Sequence, residues 1–326
     1  MDIRYATSEM EFAGKLPDSY PYMRVLETQL RFLDLDHIPL FHILQSDTKY
    51  EGGIMFNIGK GGLDKAYINT LYSKFNNVVE QLKSKFNKVY IYQDGEIGWW
   101  NQTDVKLQVW WYNQLSSSDG ILVPNSTDVC FYKGIFKDIP VRVIRSVMTD
   151  VGLDNTKFKK KSGRTIITGP LTREYNGLVQ VLLAHNYGLP VDIPPMGQSR
   201  MPKDSWEMAN NIGVRYLPYM SWIEWMYNLN QYELGYMMST ATASGSFALN
   251  CAYLGIPCIG DKRADTQSML FPDLAVNSLD TQTALELTLK LKKDKEFYNS
   301  VIKKAKLVLK EEFNKSKMLK VLYENN

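Results

Sequence analysis

The sequence contains few of the residues that build disulfide scaffolds or metal centres. Its 326 residues include three cysteines and three histidines. The cysteines lie in apolar surroundings without a Cys-x-x-Cys pair, so we expect buried, reduced thiols rather than a disulfide or a metal site. The histidines do not cluster, which favours a structural role for each. These residues are Cys130, Cys251, Cys258, His37, His42 and His185.

The sequence also lacks a long apolar segment and a strong charge of either sign. Its formal net charge of +3 neither requires nor excludes a polyanionic partner. The first ten residues carry charges and no apolar stretch, so no secretory signal is expected. The most apolar window, residues 214–229, is interrupted by Arg215 and Glu224 and is too short to span a bilayer. These absences predict a cytoplasmic protein without a membrane span.

Strand and helix patterns alternate along the chain, and the alternation restarts after an interruption at residues 150–164. Alternation of this kind predicts an α/β fold in which helices cover both faces of a parallel sheet. We interpret the interruption as a linker between two domains, residues 1–155 and residues 156–326, the second ending in a helical tail. The basic run at residues 157–161 is either a solvated linker face or a contact for a phosphate backbone.

Individual elements indicate where a site is expected. Apolar runs predict strands at residues 39–44 and 88–92 in the first half and at residues 235–239 in the second. A long amphipathic pattern predicts a helix over residues 63–86. In open parallel sheets, ligands bind where strands end and loops lead into helices. The loops that follow the predicted strands are therefore the candidate sites.

One such loop, residues 168–173, follows a predicted strand and opens a helix. It contains Gly169 and ends at Arg173. A helix N-terminus offers free backbone N–H groups and a positive dipole end, and an arginine adds a fixed cationic fork. The combination suits a diphosphate, but a turn from strand through glycine to helix is also common without a ligand.

A second loop, residues 239–247, consists almost entirely of small and hydroxyl-bearing residues. Small residues let the backbone approach a ligand closely. Ser244, Gly245 and Ser246 would place two hydroxyls and several N–H groups at the start of the next helix. The alternative is an ordinary serine cap, although a cap needs one such residue and not a run of them.

With these two loops, the second half of the chain resembles the donor-binding domain of GT-B glycosyltransferases. The resemblance covers residues 165–313 and depends on residues 214–220, 235–239, 254–260 and 271–276 around the small-residue loop. It implies two Rossmann-like doubly wound domains that face a cleft. The first domain would bind the acceptor and the second a nucleotide-sugar donor, with a UDP-sugar as co-substrate.

The resemblance also implies roles for particular residues of the second domain. Arg173, in the loop of Gly169, would contact the donor diphosphate, and Ser244–Ser246 would lie beside the phosphates or the sugar. Pro218 and Tyr219 would flank the nucleotide base. Lys262 and Arg263 either neutralise the donor phosphates or form a solvated turn. No DxD motif accompanies Lys262 and Arg263, and the resemblance implies transfer without a bound metal, with the helix dipole and Arg173 stabilising the leaving diphosphate.

One departure from the family concerns acidic residues. Many retaining members carry two glutamates eight positions apart across the small-residue loop. Here the matching positions hold Thr242 and Asn250. Asn250 retains the capacity to hydrogen-bond a ribose hydroxyl, but the departure does not support the retaining subclass.

The first domain contains an unusual segment, residues 88–101, which is similar to the segment that carries the catalytic aspartate of a phage DNA glucosyltransferase. Asp94 matches that aspartate and would act as the general base that deprotonates the acceptor hydroxyl. Glu96 is the reserve candidate. The alternative for Asp94 is a turn residue before a glycine. Trp99 and Trp100 would stack on a sugar or on an extruded base, or would belong to the core.

The leading hypothesis is therefore a nucleotide-sugar-dependent glycosyltransferase. Its acceptor is either a hydroxymethylated base in double-stranded phage DNA or a surface glycan or lipid-linked sugar. A nucleotide-sugar 2-epimerase shares this architecture but would need further acid–base residues around the donor. A sugar-nucleotide or nucleic-acid binding module without catalysis is the third hypothesis, and the missing glutamate pair is its support.

Overall fold

The computed structural model describes most of the chain as two compact units. The described residues are 3–7, 12–17, 20, 25–57, 77–94, 97, 104–150, 152–153, 163–169, 171, 174–186, 188, 190–194, 207, 211–242 and 244–323. The first unit consists of Met1–Tyr20, Arg24–Ser146 and Lys315–Asn326, and the second of Pro21–Met23 and Val147–Asn314.

A six-stranded parallel sheet forms the centre of the first unit. Its elements are β1 (Ile3–Thr7), α1 (Val25–Leu33), β2 (His37–Pro39), α2 (Leu40–Gln45), β3 (Gly53–Asn57), α3 (Val78–Lys83), β4 (Lys88–Tyr92), α4 (Val105–Ser117), β5 (Gly120–Val123), α5 (Ser126–Ile135) and β6 (Val141–Val143). The strand order is β2-β1-β3-β4-β5-β6. All five residues of the central strand β3 are buried, as expected for a parallel strand with both faces covered.

The second unit repeats this plan. Its elements are β7 (Arg164–Ile167), α6 (Gly177–Asn186), β8 (Val191–Ile193), β9 (Arg215–Tyr216), α7 (Trp222–Leu229), β10 (Tyr232–Met237), α8 (Ser246–Leu254), β11 (Cys258–Asp261), α9 (Asp265–Leu270), a 3₁₀ turn (Pro272–Leu274), β12 (Ala275–Val276), α10 (Thr281–Lys293) and α11 (Lys295–Glu312). The strands are parallel and follow the order β12-β11-β10-β7-β8-β9. The predicted α/β class with two doubly wound sheets is confirmed.

The strand predicted over residues 39–44 is wrong. Strand β2 ends at Pro39, and the helix α2 begins at the next residue. The buried residues of α2 are Leu40, Ile43 and Leu44, which is the i, i+3, i+4 spacing of one helix face. A short apolar run satisfies a strand pattern and a buried helix pattern equally well, and the sequence alone did not separate them.

The helical tail is divided between the two units. Its last helix, α12 (Lys315–Tyr323), packs against α1 and so belongs to the first unit, whereas the sequence predicted the whole tail in the second domain. Met318 and Leu322 are the buried residues of α12. An amphipathic pattern reveals that a helix has an apolar side, but it does not reveal which sheet that side covers. Most of the helix predicted over residues 63–86 lies outside the described residues.

Neither a membrane helix nor a metal cluster is found in the described part of the chain. No helix there is long and apolar enough to cross a membrane. Within the same residues, His, Cys, Asp and Glu side chains do not gather in groups of three or more that would hold a metal ion.

A buried carboxylate connects four strands of the second sheet. The Asp192 side chain, in β8, has no exposed surface. Arg164 of β7 donates to it from Nε at 3.0 Å, Arg215 of β9 donates from Nε at 3.2 Å, and the Tyr232 hydroxyl of β10 donates at 2.5 Å. Burial, and then the hydrogen bond to Asp192, raise the pKa of the Tyr232 hydroxyl above its ordinary value. The Asp192 carboxylate therefore pairs with two arginine side chains and accepts a hydrogen bond from one buried hydroxyl.

We expect Asp192→Ala to lower the free energy of unfolding by about 3–5 kcal/mol, because the substitution leaves the buried Tyr232 hydroxyl and the mostly buried Arg164 guanidinium without their acceptor. Asp273→Ala is the matched control: Asp273 pairs with Lys304 at 3.1 Å, and both side chains are half-exposed. Removing this surface pair should cost less than about 1 kcal/mol. Urea unfolding of both variants measures the difference, and equal losses would contradict this account of Asp192.

Candidate functional site

Three loops lie side by side at the carboxyl edge of the second sheet. The first edge loop (residues 168–176) follows β7, the second edge loop (residues 238–245) follows β10, and the third edge loop (residues 262–264) follows β11. Because β7, β10 and β11 are neighbours in the sheet, the loops that leave their carboxyl ends are also neighbours. This edge is where ligands bind in open parallel sheets.

The second edge loop ends at a glycine that no other residue replaces without strain. Gly245 has φ +74° and stands at the N-cap of α8. A Cβ at this position would overlap the Thr266 side chain, whose hydroxyl donates to Gly245 O at 3.0 Å. The left-handed conformation and the close approach both require glycine. Among the described residues, no side chain caps α8, so its first N–H groups have no side-chain acceptor there.

The structure brings the predicted residues of this loop together at the start of α8. Ser244 is 6% exposed and Asn250 is 8% exposed. Ser246 and Asn250 are four positions apart on α8 and therefore lie on the same side of the helix. Thr242, the other position that carries glutamate in many retaining relatives, is also buried. The start of α8 is therefore surrounded by hydroxyl and amide groups, with no carboxylate at either position.

The first and second edge loops are bonded to each other. The carbonyl oxygen of Glu174 accepts hydrogen bonds from the Thr240 hydroxyl at 3.0 Å and from Ala241 N at 2.8 Å. Gly169 has φ +75°, and a Cβ there would overlap the Tyr175 ring. Arg173, the predicted cation of this loop, lies outside the described residues.

Arg263, which was predicted to neutralise donor phosphates or to form a solvated turn, bonds within the protein. Its Nε donates to Asp261 Oδ1 at 2.9 Å, and its Nη2 donates to the Thr240 carbonyl at 2.7 Å. The guanidinium thus connects the third edge loop to the second. Lys262 is exposed beside it, and its role stays a prediction.

The carboxylate beneath Arg263 also holds the segment that follows β12. Asp261 Oδ2 accepts from Ser278 N at 2.9 Å. Burial raises the pKa of Asp261, but hydrogen bonds from Arg263 and Ser278 outweigh that effect and hold the pKa below its ordinary value. The ionised form is therefore the one that the folded unit stabilises.

The segment predicted to flank a nucleotide base lines an open pocket of about 380 Å³. Pro218 and Tyr219 lie between β9 and α7, and the Tyr219 side chain is 63% exposed. The start of α7 itself is closed by a capping box, in which Ser221 and Glu224 bond to each other's backbone. The N-terminus of α7 is consequently occupied by its own residues, whereas that of α8 is not.

In the first unit, Asp94 follows the central strand β4 and is half-buried. The preceding residue, Gln93, is fully buried, and its Oε1 accepts from Trp111 Nε1 at 3.0 Å and from the Tyr132 hydroxyl at 3.3 Å. Burial, and then the nearby charge of Asp94, raise the pKa of the Tyr92 hydroxyl well above its ordinary value. Asp94 therefore lies at the carboxyl end of β4, on backbone that a buried amide anchors.

Several residues contribute to this arrangement without having been singled out from the sequence, and several predicted residues are not described. The contributing residues are Gln93, Glu174 and Thr266. Each contacts residues far away in the chain, and no local pattern marks it. Of the predicted residues, Glu96, Trp99, Trp100 and Arg173 lie outside the described residues. Their roles stay predictions.

The lowered pKa of Asp261 gives a prediction for acid stability. A carboxyl whose pKa is lower in the folded state stabilises the fold above its unfolded pKa, and this contribution disappears as the pH falls through the folded pKa. Asp261→Asn should therefore lose less stability than the wild type between about pH 5 and pH 3. Urea unfolding across this range measures the slope. A slope for Asp261→Asn equal to that of the wild type would contradict the assignment.

Comparison with known proteins finds likeness at the level of structure. No protein-family profile matches the sequence, and no curated protein matches it. TarM from S. aureus, solved with UDP, fondaparinux and alpha-GlcNAc-glycerol, superposes with a TM-score of 0.64 at 10% identity over 87% of this chain and 57% of TarM. Sucrose-phosphate synthase from Thermosynechococcus elongatus gives 0.64 at 14% identity over 91% of this chain and 77% of that one.

A third solved structure is an alpha-glucosyltransferase in complex with UDP and a 13-mer DNA containing an HMU base. It gives a TM-score of 0.58 at 14% identity over 88% of this chain and 84% of that one. The chain thus spans just over half the length of TarM, at 57%, and most of the alpha-glucosyltransferase. At these identities the likeness concerns the fold, and it confirms the predicted GT-B fold of two Rossmann-like sheets.

Proposed function

We propose that this chain is a glycosyltransferase that takes its sugar from a UDP-sugar. The observation that carries the proposal is the start of α8, which has a left-handed glycine at its N-cap and no side-chain cap. It lies at the ligand edge of a GT-B sheet. Two of the similar solved structures, TarM and the alpha-glucosyltransferase, contain UDP. A helix N-terminus of this kind suits the diphosphate of such a donor.

In this proposal the second unit binds the donor. The N–H groups of α8 and the hydroxyls of Ser244 and Ser246 receive the diphosphate, and the Asn250 amide bonds to a ribose hydroxyl. Pro218 and Tyr219 flank the base in the open pocket beside α7. Arg173, in the loop of Gly169, and Lys262 supply positive charge. Because these groups already favour the charge of the leaving diphosphate, we propose transfer without a bound metal.

In this proposal the first unit binds the acceptor and supplies the general base. The acceptor hydroxyl oxygen attacks the anomeric carbon while the bond from that carbon to the diphosphate oxygen breaks. Asp94 takes the hydroxyl proton, and UDP leaves with the electron pair of the broken bond. A carboxylate at the end of β4 suits this task. Glu96 is the reserve base, and Trp99 and Trp100 would stack on the acceptor.

For the acceptor we propose a hydroxylated base in double-stranded DNA. The similarity between residues 88–101 and a phage DNA glucosyltransferase segment supports it, as does the DNA bound to the similar alpha-glucosyltransferase. A surface glycan or lipid-linked sugar is the second candidate, supported by the alpha-GlcNAc-glycerol bound to TarM. A binding module without catalysis is the third, because Thr242 and Asn250 replace the acidic pair.

A donor and acceptor panel tests the function. Thermal stability and nucleotide release are followed with UDP-, GDP-, ADP- and CMP-sugars, each with hydroxymethylated DNA, unmodified DNA or no acceptor, and with and without EDTA. Of the four kinds of donor, we expect only a UDP-sugar to raise the melting temperature, because a ligand that binds only the folded state stabilises it. UDP release should require hydroxymethylated DNA, persist in EDTA and decrease steeply as salt rises. If no donor raises the melting temperature of the protein and none releases its nucleotide, the glycosyltransferase proposal is wrong.

A pair of glycine variants tests whether α8 receives the diphosphate. Gly245→Ala combines a left-handed φ with overlap of Thr266, whereas Gly213→Ala has the same φ of +74° and no atom within 4 Å. We expect both to be destabilised by about 1 kcal/mol or more from backbone strain. Of the two variants, only Gly245→Ala should weaken UDP binding, by about 10-fold or more, because the first N–H groups of α8 move. Equal UDP affinities in isothermal titration calorimetry would contradict a site at α8.

Asp94→Asn tests the general base. The variant keeps the size of the side chain and removes its basicity, so we expect transfer to decrease about 10²–10⁴-fold while UDP affinity is unchanged. Asp138→Asn, an exposed carboxylate of the same unit, should transfer at the wild-type rate. Direct attack assisted by Asp94 also predicts inversion, so an α-linked donor should give a β-linked product by NMR. An α-linked product would contradict this role.

A further inference from the structure

Gln180 is a polar side chain at the centre of the edge-loop arrangement. It lies on α6, one of the helices that cover the second sheet, and it has no exposed surface. Burial of an amide is unfavourable unless its hydrogen-bonding groups are satisfied. The contacts of Gln180 therefore explain why an amide occupies this position.

The Gln180 amide bonds to both of the longer edge loops at once. Its Nε2 donates to the Thr168 carbonyl at 3.1 Å and to the Tyr175 carbonyl at 2.6 Å, at the two ends of the first edge loop. Its Oε1 accepts from Met238 N at 3.0 Å, at the start of the second edge loop. Met238 is 58 residues away in sequence. Both N–H donors and the carbonyl oxygen are thus used.

These three bonds add to the backbone contacts between the two loops and set the distance between the beginnings of the loops. The first edge loop carries Gly169 and the predicted Arg173, and the second leads into the start of α8. The β7–β10 pairing joins the two loops at their bases, and the bonds from Thr240 and Ala241 to Glu174 O join them again farther along. Above the sheet, the amide of Gln180 holds the two ends of one loop and the beginning of the other at hydrogen-bonding distance.

We propose that Gln180 is a positioning residue for the nucleotide donor. It sets the separation between the first edge loop and the start of α8, and so determines whether the two bind one diphosphate together. This inference rests on the proposed function, because it assumes that the diphosphate lies between these loops. A displacement of about 1 Å at such a site is enough to reduce activity by about 100-fold.

The fold does not depend on Gln180 alone. Glu174 O still bonds to Thr240 and Ala241, and Arg263 still bonds to the Thr240 carbonyl, when the amide is removed. We therefore expect Gln180 variants to fold with the edge loops connected but displaced. The effect should appear in nucleotide affinity and in the exposure of Met238 N more than in the melting temperature.

Two substitutions separate the possible contributions of this side chain. Gln180→Met keeps the length of the side chain and removes all three hydrogen bonds. Gln180→Glu keeps the shape, but its ionised form has no N–H and places a charge against two carbonyl oxygens. When protonated, the glutamate again offers one donor and one acceptor. Burial at this position should raise the pKa of the introduced carboxyl well above its ordinary range. The affinity of Gln180→Glu for UDP should therefore rise toward the wild-type value as the pH is lowered from about 8 to about 5.5.

The chain offers a matched control in its other unit. Gln114 is also a buried glutamine, at 2% exposure, and its Oε1 accepts from Val79 N at 3.0 Å. Gln114→Met removes the same kind of bond, from a side-chain oxygen to a buried backbone N–H, but it lies in the first unit. Any general effect of losing such a bond should be common to the two methionine variants.

The experiment measures UDP affinity by titration calorimetry, the free energy of unfolding in urea, and hydrogen exchange at residues 238–241. We expect Gln180→Met to bind UDP about 10-fold or more weakly and to exchange faster at these residues. Gln114→Met should bind UDP like the wild type although it also loses a hydrogen bond to a buried backbone N–H. This pattern, together with the pH-dependent recovery of Gln180→Glu, is the expected result.

Three outcomes would overturn the inference, and they are distinguishable from failure of the proposed function. Unchanged exchange at residues 238–241 in Gln180→Met would show that the amide does not hold the second edge loop. If the UDP affinity of Gln180→Met is unchanged, or if Gln180→Met and Gln114→Met lose UDP affinity equally, Gln180 only stabilises the fold and does not position the donor. If the wild type binds no UDP, the proposed function fails first, and the role of Gln180 toward a donor fails with it.

Discussion

The candidate site depends on one constraint: the backbone N–H and C=O groups at the carboxyl edge of the second sheet need hydrogen-bond partners. A buried N–H or C=O without a partner costs about 1–3 kcal/mol, so loops that cross this edge must find partners. The first and second edge loops bond to each other through Glu174 O, and to the side chains of Gln180 and Arg263. In the described part of the chain, two helix starts at this edge have no side-chain cap, α8 at Gly245 and α9 at Ala264. The first turn of α8 carries no acidic residue, whereas α9 begins with Asp265. Of the two, the start of α8 therefore suits an anionic ligand better.

Local sequence signals predicted the elements whose cause is local. Helix α8 begins at Ser246, within the small-residue run where the sequence predicted the start of a helix. The strand predicted over residues 39–44 failed because six apolar-rich residues fit a buried helix equally well. Gln180 escaped notice for a different reason. Its partners lie 12 and 58 residues away, and a single glutamine in a helical pattern looks like a surface residue.

Arg263 shows that the position of a residue in the sequence does not identify its partner. The sequence left two roles open for this cation, neutralisation of the donor phosphates or a solvated turn, but its guanidinium bonds to Asp261 and to the Thr240 carbonyl. The fold itself tolerates such differences, since solved structures that share it are only 10–14% identical to this chain. The pattern of buried apolar positions specifies the two sheets, and a few polar residues at their edges specify the chemistry. Neutral Thr242 and Asn250 are such residues.

The most direct test of the central claim is a crystal structure of the protein with UDP. The account predicts that the diphosphate oxygens lie within hydrogen-bonding distance, about 2.7–3.2 Å, of backbone N–H groups in the first turn of α8. The base should contact Pro218 and Tyr219 in the pocket beside α7. A diphosphate held elsewhere, with the start of α8 bonded only to water, would contradict the proposed donor site and the glycosyltransferase function built on it.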